Sequence, residues 1–355
     1  MKPITMWRAT AMAIVSLAVT VPAEAANNFY EGKTITLTVG YRAGSAYDTF
    51  SRLLARHYSR HIPGNPTIIV KNSPGSSSMK LANYLYNVSP KNGLHIGSIR
   101  NGMALEQLYG RPGVRFDALK FNWLGSMASI IGTCVIWHTA PAKTLEDIKK
   151  VQIVSGAIGT TASLAMYPRA LNAMLGTKFK VVIGYSGPGT LHAMERGETQ
   201  ARCGGDWDGL VANRPHWIRD GKLRMLVQMS NVKHPNMQDK PWIFDYVKKP
   251  EDVKALQLIF ASQEFGRPYV APPGVPADRL AILRRGFDAV MKDPALRADG
   301  GRMKMKLLGP MTGEQMVKRV AHFHKTPQSV IDRVKQFQTA QKGEGSVKRK
   351  KKKKK

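Results

Sequence analysis

The sequence predicts an α/β fold built from two doubly wound lobes. Of its 355 residues, 43% are hydrophobic and 22% are charged, which is enough apolar material for a sizeable core. From Thr34 onward, short β-rich runs alternate with helix-length amphipathic segments, a pattern typical of parallel sheets covered by helices. The alternation occurs in two cycles, and a chain of this length favours two domains.

The first cycle begins with a strand over 34–39, followed by a glycine-containing loop and a helix. A second strand over 67–70 leads through a turn into a helix over 79–88, and a third strand covers 96–99. Three strand-loop-helix units in succession predict one doubly wound sheet.

The second cycle predicts a further set of short strands with helices between them, at 134–137, 151–154, 179–183, 201–203 and 223–229. A strand over 268–271 and a helix over 276–291 then return the chain to the first lobe. We therefore expect lobe 1 to comprise residues 26–127 and 256–341, and lobe 2 to comprise residues 128–255.

Residues 1–25 have the features of a secretory signal peptide. Two cations precede an apolar run over 9–21, and Ala23-Glu24-Ala25 is a small-x-small cleavage pattern. The run is shorter than the roughly 18–20 residues that span a bilayer. We expect cleavage after Ala25 and export to the periplasm.

The chain is strongly basic, with 54 Lys and Arg against 24 Asp and Glu and a formal net charge of +30. Eight consecutive cations occupy 348–355, and we expect residues 342–355 to form a disordered basic tail. The excess charge on the rest of the chain attracts nucleic acid, anionic lipid or small acids. Export and the lack of aromatic residues among the tail cations argue against nucleic acid as a partner.

Three glycine- or serine-rich loops, at 44–48, 74–78 and 156–163, each lie between a predicted strand and a predicted helix. Free backbone amides at helix starts bind carboxylate or phosphate. A single loop of this kind is more typical of a tight turn or a helix cap than of a ligand site. Three of them at the carboxyl ends of strands predict a ligand site, because open α/β sheets bind ligands there.

The sequence contains neither G-x-G-x-x-G nor G-x-x-x-x-G-K-[ST], so we expect no dinucleotide cofactor and no other cofactor. We also expect no metal site and no catalytic residues. The run from Gly184 to Pro188 departs from the G-x-S-x-G nucleophile elbow at Pro188. An exported hydrolase that uses Ser186 or a serine of the second loop, with a histidine as base, is the second hypothesis.

Residues 41–48, 72–78 and 185–189 resemble the loop motifs of the TctC/Bug family of periplasmic solute receptors, and the similarity covers most of residues 29–310. Tyr41 stands where the family usually has proline, and Ser45 where it has glycine. Three serines follow Pro74-Gly75, where the family usually has Ala-Gly-Gly.

This resemblance implies two α/β lobes of the type II periplasmic binding protein kind, joined by crossover strands and closing on a ligand in the cleft between them. It implies a monomeric, non-enzymatic receptor that delivers a small organic carboxylate to the membrane permease subunits of a tripartite tricarboxylate-type transporter. A ligand sensor without transport is the alternative within the family.

We expect loop amides to hold the ligand carboxylate and hydroxyl groups of lobe 2 to complete the site. Arg100 is a candidate for the counter-charge, and a solvated surface arginine is the equal alternative. Asp48 is expected to cap its own helix rather than touch an anion. The family's topology also implies a disulfide between Cys134 and Cys203. The candidate ligand-binding residues are Tyr41, Gly44, Ser45, Ala46, Tyr47, Ser76, Ser77, Ser78, Arg100, Gly159, Thr160, Thr161, Ser163, Tyr185 and Asp206.

Overall fold

The computed structural model describes residues 29–347, and within them the chain forms two six-stranded sheets with helices packed on both. The expected signal peptide with its cleavage after Ala25, and the basic residues 348–355, lie outside the described residues. Within the described range, every helix is too short or too polar to cross a membrane. The predicted α/β class with two lobes is confirmed.

The sheet of lobe 1 combines parallel and antiparallel pairs. Its strands are β1 (Thr34–Val39), β2 (Thr67–Asn72), β3 (His95–Ser98), β4 (Asn122–Ser126), β10 (Pro268–Ala271) and β11 (Met311–Thr312). Their order is β11-β4-β10-β3-β1-β2. β1 runs parallel to β2 and β3, whereas β10 is antiparallel to β3 and β4, and β11 is antiparallel to β4.

The sheet of lobe 2 has the same size and a similar pattern. Its strands are β5 (Gly132–Trp137), β6 (Ile153–Ala157), β7 (Phe179–Ile183), β8 (Ala201–Asp206), β9 (Leu223–Met229) and β12 (Gly345–Ser346). Their order is β12-β7-β6-β8-β5-β9. β5 is antiparallel to both of its neighbours, and the other pairs are parallel.

The described helices connect the strands and cover the sheets. They are α1 (Ala46–Tyr58), α2 (Met79–Asn87), α3 (Leu145–Lys150), α4 (Ser163–Leu175), α5 (Gly187–Glu195), α6 (Trp207–Asn213), α7 (Pro215–Arg219), α8 (Ile243–Tyr246), α9 (Pro250–Phe265), α10 (Ala277–Lys292), α11 (Pro294–Arg302), α12 (Gly313–Phe323) and α13 (Gln328–Gln338). Short 3-10 helices cover Ser59–His61, Ser76–Ser78, Asn101–Ala104 and Ala118–Lys120.

Periodicity explains why the first elements form where they do. In β1, the alternate residues Ile35, Leu37 and Val39 are fully buried, as expected for a strand with one face against helices. α1 begins at the N-cap Ser45, whose hydroxyl accepts a hydrogen bond from Asp48 N. The sequence pattern therefore specifies both β1 and α1, the two elements of lobe 1 that the 40–45 loop connects.

α9 is the largest element that the sequence analysis does not predict. It is buried along most of its length and packs against α13 and the 3-10 helix Asn101–Ala104. A helix that is buried on several sides lacks the polar face that makes helical periodicity visible. α9 leads directly into one of the two segments that cross between the lobes.

Those crossover segments, 126–130 and 263–267, run side by side and are hydrogen-bonded to each other. Met127 N donates to the Arg267 carbonyl (3.1 Å), Arg267 N to the Ala128 carbonyl (3.0 Å), and Ile130 N to the Gln263 carbonyl (2.9 Å). Gly266 has φ +34°, and a Cβ there would overlap the Ala128 carbonyl oxygen. The close approach of the two crossovers therefore requires glycine at this position.

The carboxyl-terminal residues differ from the expectation of a disordered tail beginning at 342. β12 pairs in parallel with β7, and Val347 N donates to the Ile183 carbonyl (2.8 Å). The sequence does not predict this short strand, because the tail is charged and polar. The strand is stabilised by pairing with the open edge of β7 and not by its own side chains.

Cys134 and Cys203 lie opposite each other on the antiparallel strands β5 and β8 and form a disulfide. Both residues are fully buried, and 69 positions separate them in sequence. A crosslink over this separation removes conformational freedom from the unfolded chain.

We predict that replacing either cysteine with serine lowers the free energy of unfolding by about 2–4 kcal/mol, the usual cost of losing a native disulfide. Chemical denaturation of the oxidised wild type and of the variants measures this difference. Reduced wild-type protein is the control and should match the variants. Two free thiols in unfolded, unreduced wild-type protein would contradict the disulfide.

Candidate functional site

A cavity of about 940 Å³ lies between the lobes and is lined by residues of both. Lobe 1 contributes the loops that follow β1, β2 and β3, and lobe 2 contributes the loop that follows β6 and residues of the strand β8. The crossover residues Gln263 and Arg267 also line it. The cavity thus occupies the position at which open α/β sheets bind ligands.

Many of the expected ligand-binding residues line this cavity. They are Tyr41, Tyr47, Ser76, Ser77, Arg100, Gly159, Thr161, Ser163 and Asp206. The structure therefore brings the second loop of lobe 1 and the 156–163 loop of lobe 2 to one site.

The first loop contributes less than expected, because Gly44, Ser45 and Ala46 do not line the cavity. Asp48 is nearly fully buried and accepts a hydrogen bond from Gly44 N (2.9 Å), while Ser45 N donates to the Arg42 carbonyl (3.2 Å). The amides of Gly44 and Ser45 thus have acceptors within their own loop, whereas among residues 29–347 the amides of Ala46 and Tyr47 donate to no acceptor. The placement of the ligand carboxylate on the amides of Ser45 to Tyr47 stays a prediction, and Asp48 stabilises the start of its own helix.

Three other expected residues also lie outside the cavity wall. Ser78 is buried, and its hydroxyl accepts a hydrogen bond from Arg100 N (3.2 Å). The Thr160 carbonyl accepts from the guanidinium of Arg169. The Tyr185 hydroxyl lies 3.4 Å from a Glu198 carboxylate oxygen, away from the cleft.

The second loop is held in an uncommon backbone conformation. Ser76, Ser77 and Ser78 have φ values of 44°, 52° and 78°, in the left-handed region that non-glycine residues rarely adopt. Arg100 Nε donates to the Ser77 carbonyl (3.2 Å) and Ser78 N to the Gly75 carbonyl (2.9 Å). These contacts keep the loop in a shape that serine does not favour by itself.

Arg100 is also part of a charged cluster in lobe 1. The guanidinium groups of Arg100 and Arg111 both pair with the buried Glu106 carboxylate. Arg111 Nε lies 3.1 Å from Glu106 Oε2. Burial works against the charge of Arg100, but Glu106 together with Tyr41 and Tyr47 outweighs this effect and raises the Arg100 pKa. Two guanidinium groups sharing one carboxylate leave a net positive charge on this wall.

A second charged cluster of the cavity joins the crossover residue Arg267 to Asp206 of lobe 2. Arg267 Nη2 lies 3.9 Å from Asp206 Oδ2, and the Arg267 guanidinium stacks over the Tyr47 ring, 4.9 Å from its centroid. Arg267 Nε is buried and has no hydrogen-bond partner among residues 29–347. Burial raises the pKa of Asp206 and lowers that of Arg202 to about 10, so Arg202 remains a cation at neutral pH.

The wall as a whole is cationic. The charged residues that line the cavity are two carboxylates, Glu106 and Asp206, and six cations: Lys80, Arg100, Arg111, Arg115, Arg202 and Arg267. Such a wall attracts anions and repels cations. In the part of the chain that the structure describes, no group of three or more His, Cys, Asp or Glu residues is placed to hold a metal ion.

Arg202 and Arg267 are functional candidates that the sequence analysis does not identify. Arg202 lies in β8, and Arg267 immediately precedes β10. Neither residue follows the carboxyl end of a strand, where ligand sites of α/β sheets are expected, and the chain contains 54 Lys and Arg, so the sequence offers no signal that distinguishes them.

Comparisons with known proteins agree with this architecture, although no model of a known protein family matches the sequence. A UPF0065 protein encoded in the gbd 5' region of Cupriavidus necator is 23% identical over 337 residues, covering 92% of this chain and 94% of that protein.

Solved structures resemble the chain in fold. A TctC solute-binding protein from Polaromonas has a TM-score of 0.63 at 18% identity, with 86% of this chain and 99% of that one covered. The periplasmic binding protein BugD has a TM-score of 0.62 at 16% identity, with coverage of 90% and 100%. Rpa4515 of R. palustris, solved with adipate, has a TM-score of 0.62 at 14% identity, with coverage of 89% and 99%. The chain therefore has the two-lobed fold of periplasmic solute-binding proteins, and the resemblance to the TctC/Bug family that its loop motifs indicated is confirmed.

Proposed function

We propose that the protein is an exported receptor that captures a small organic carboxylate between its lobes. The observation that carries this proposal is the interlobe cavity, whose lining contains six cationic side chains and only two carboxylates. An anion that contacts both walls neutralises charge on both lobes. Its affinity is then greatest when the lobes are closed, and this difference in affinity drives closure.

The proposal extends to location and delivery. The signal-like leader favours the periplasm, and the similarity to TctC and BugD supports transfer of the ligand to the permease subunits of a tripartite tricarboxylate-type transporter. The adipate in Rpa4515 supports a carboxylic acid as the ligand class. A receptor that signals without transport would use the same cleft and the same closure.

The hydrolase hypothesis has less support. Ser186 is the N-cap of α5, and its hydroxyl accepts a hydrogen bond from Gly189 N (3.0 Å). Among residues 29–347 its hydroxyl has no hydrogen bond to a histidine that would act as the general base. We therefore propose binding rather than catalysis as the role of this chain.

We predict that at least one acid of a panel containing adipate, malate and citrate raises the melting temperature of the wild type, because a ligand that binds only the folded state stabilises it. Arg202→Gln should weaken that binding about 10- to 100-fold, as expected for loss of a charged hydrogen-bond donor. Calorimetric titration measures the affinities.

The matched control is Arg319→Gln, which removes a guanidinium paired with Glu264 outside the interlobe cavity. This control should retain wild-type affinity. Consumption of an acid by the wild type would favour the hydrolase, and equal loss of affinity in both variants would contradict a specific role for Arg202.

We also predict that Ser77→Leu abolishes carboxylate binding while the protein still folds, because the larger side chain would occupy the part of the cavity that the second loop lines. Lys304→Leu is the control, since Lys304 also has a left-handed backbone (φ 56°) but lies outside the cavity. If the affinity of Ser77→Leu stayed within about twofold of wild type, a loss of binding free energy of less than about 0.5 kcal/mol, the second loop would be excluded from the site.

A further inference from the structure

Arg169, on α4, is fully buried and lies outside the cavity wall, yet its guanidinium joins three separate segments. Nε and Nη2 donate to the two carboxylate oxygens of Glu344 (2.5 and 2.6 Å). Nη1 donates to the Thr160 carbonyl (2.6 Å) and to the Phe337 carbonyl (3.0 Å). Each guanidinium nitrogen therefore has an acceptor.

Both carbonyl acceptors border the cavity. Thr160 stands between Gly159 and Thr161, which line the cavity, and Phe337 precedes Gln338, which also lines it. Arg169 thus contacts the lobe 2 loop and the end of α13 at the points where each reaches the ligand site.

The contact with Thr160 sets the direction of the next amide. The described peptide bonds are all trans, and in a trans peptide the N–H of Thr161 points opposite to the Thr160 carbonyl. Because that carbonyl points to Arg169, the Thr161 N–H is directed away from Arg169. The hydrogen bonds within the described chain include none donated by Thr161 N, so this donor is available to a ligand.

Glu344 supplies the counter-charge that a buried guanidinium requires. Its side chain is itself only 9% exposed, and it immediately precedes β12, which fastens the carboxyl-terminal segment to β7. The position of Arg169 therefore depends on this segment being docked on lobe 2.

We propose that Arg169 and Glu344 are positioning residues of the ligand site: together they orient the Thr160–Thr161 peptide so that Thr161 N–H donates to the ligand carboxylate. The carboxyl-terminal segment 339–347 thereby becomes part of the binding apparatus of lobe 2. This inference rests on the proposed carboxylate-binding function, but the orientation of the loop is testable without any ligand.

The test is hydrogen exchange, measured by mass spectrometry on the full chain without ligand, for wild type and two variants. Glu344→Gln removes the counter-charge while keeping the shape of the side chain. Arg169→Lys keeps a cation beside Glu344, and so preserves the ion pair, but replaces three separated nitrogens with one. Both should raise exchange over residues 159–166, where the amides of Ala162, Ala165 and Met166 are hydrogen-bonded, about tenfold and leave β6 and β7 unchanged, as expected for local opening.

The matched control is Asp252→Asn. Asp252 is buried and accepts from Arg333 Nε (3.0 Å) and Nη2 (2.9 Å), so it anchors the same helix α13 without touching the 156–163 loop. This variant should exchange like the wild type over 159–166. An equal increase in the control, or wild-type exchange in Glu344→Gln and Arg169→Lys, would overturn the inference.

Titration with adipate supplies the second readout. If adipate binds the wild type, its Kd should rise about tenfold in Glu344→Gln and stay unchanged in Asp252→Asn. An unchanged Kd in Glu344→Gln would overturn the role of the pair in binding. If no acid stabilises the wild type, the proposed function fails, and hydrogen exchange still decides whether Arg169 and Glu344 hold the loop.

Discussion

The hydrogen bonds between the two crossover segments determine how the lobes can share one cavity. Gln263 is central to this connection, because its side chain accepts from Gly132 N (2.9 Å) and donates to the Tyr167 hydroxyl (2.6 Å) and the Met229 carbonyl (2.7 Å). One buried amide thus ties α9 to β5, α4 and β9 at the base of the cleft. Motion of one lobe against the other must occur around this point, since breaking it would leave buried polar groups unpaired.

The same connection places charge where a ligand can use it. Arg267 follows the glycine that permits the close approach of the crossovers, and it carries its guanidinium into the cavity beside Asp206. A buried cation without a full complement of acceptors costs folding free energy. A bound anion would offset that cost, which is a physical reason for a receptor to be less stable empty than loaded.

The sequence predicted the strands better than the site. β1, β7, β9 and β10 have the predicted boundaries, because their β-rich runs are short and end at glycine, proline or polar residues. β4 was missed because its residues, Asn122 to Ser126, include few β-formers, and α9 because burial on several sides removes its periodicity.

Within the site, loop composition identified Ser76, Ser77 and Thr161 as candidates, because glycine- and serine-rich turns at strand ends follow a general rule of α/β sheets. The pairing of the Gly44 amide with Asp48 and of the Ser45 amide with the Arg42 carbonyl depends on local backbone geometry, which loop composition does not reveal. Arg202 and Arg267 were missed because their approach to one cavity is set by contacts distant in sequence.

The short strand β12 has a consequence for how the protein is handled. It covers the outer edge of β7, where N–H and C=O groups would otherwise be open to pairing with another chain. Shortening the protein by even a dozen or so residues from its carboxyl end would uncover that edge and favour association of lobe 2 with a second molecule.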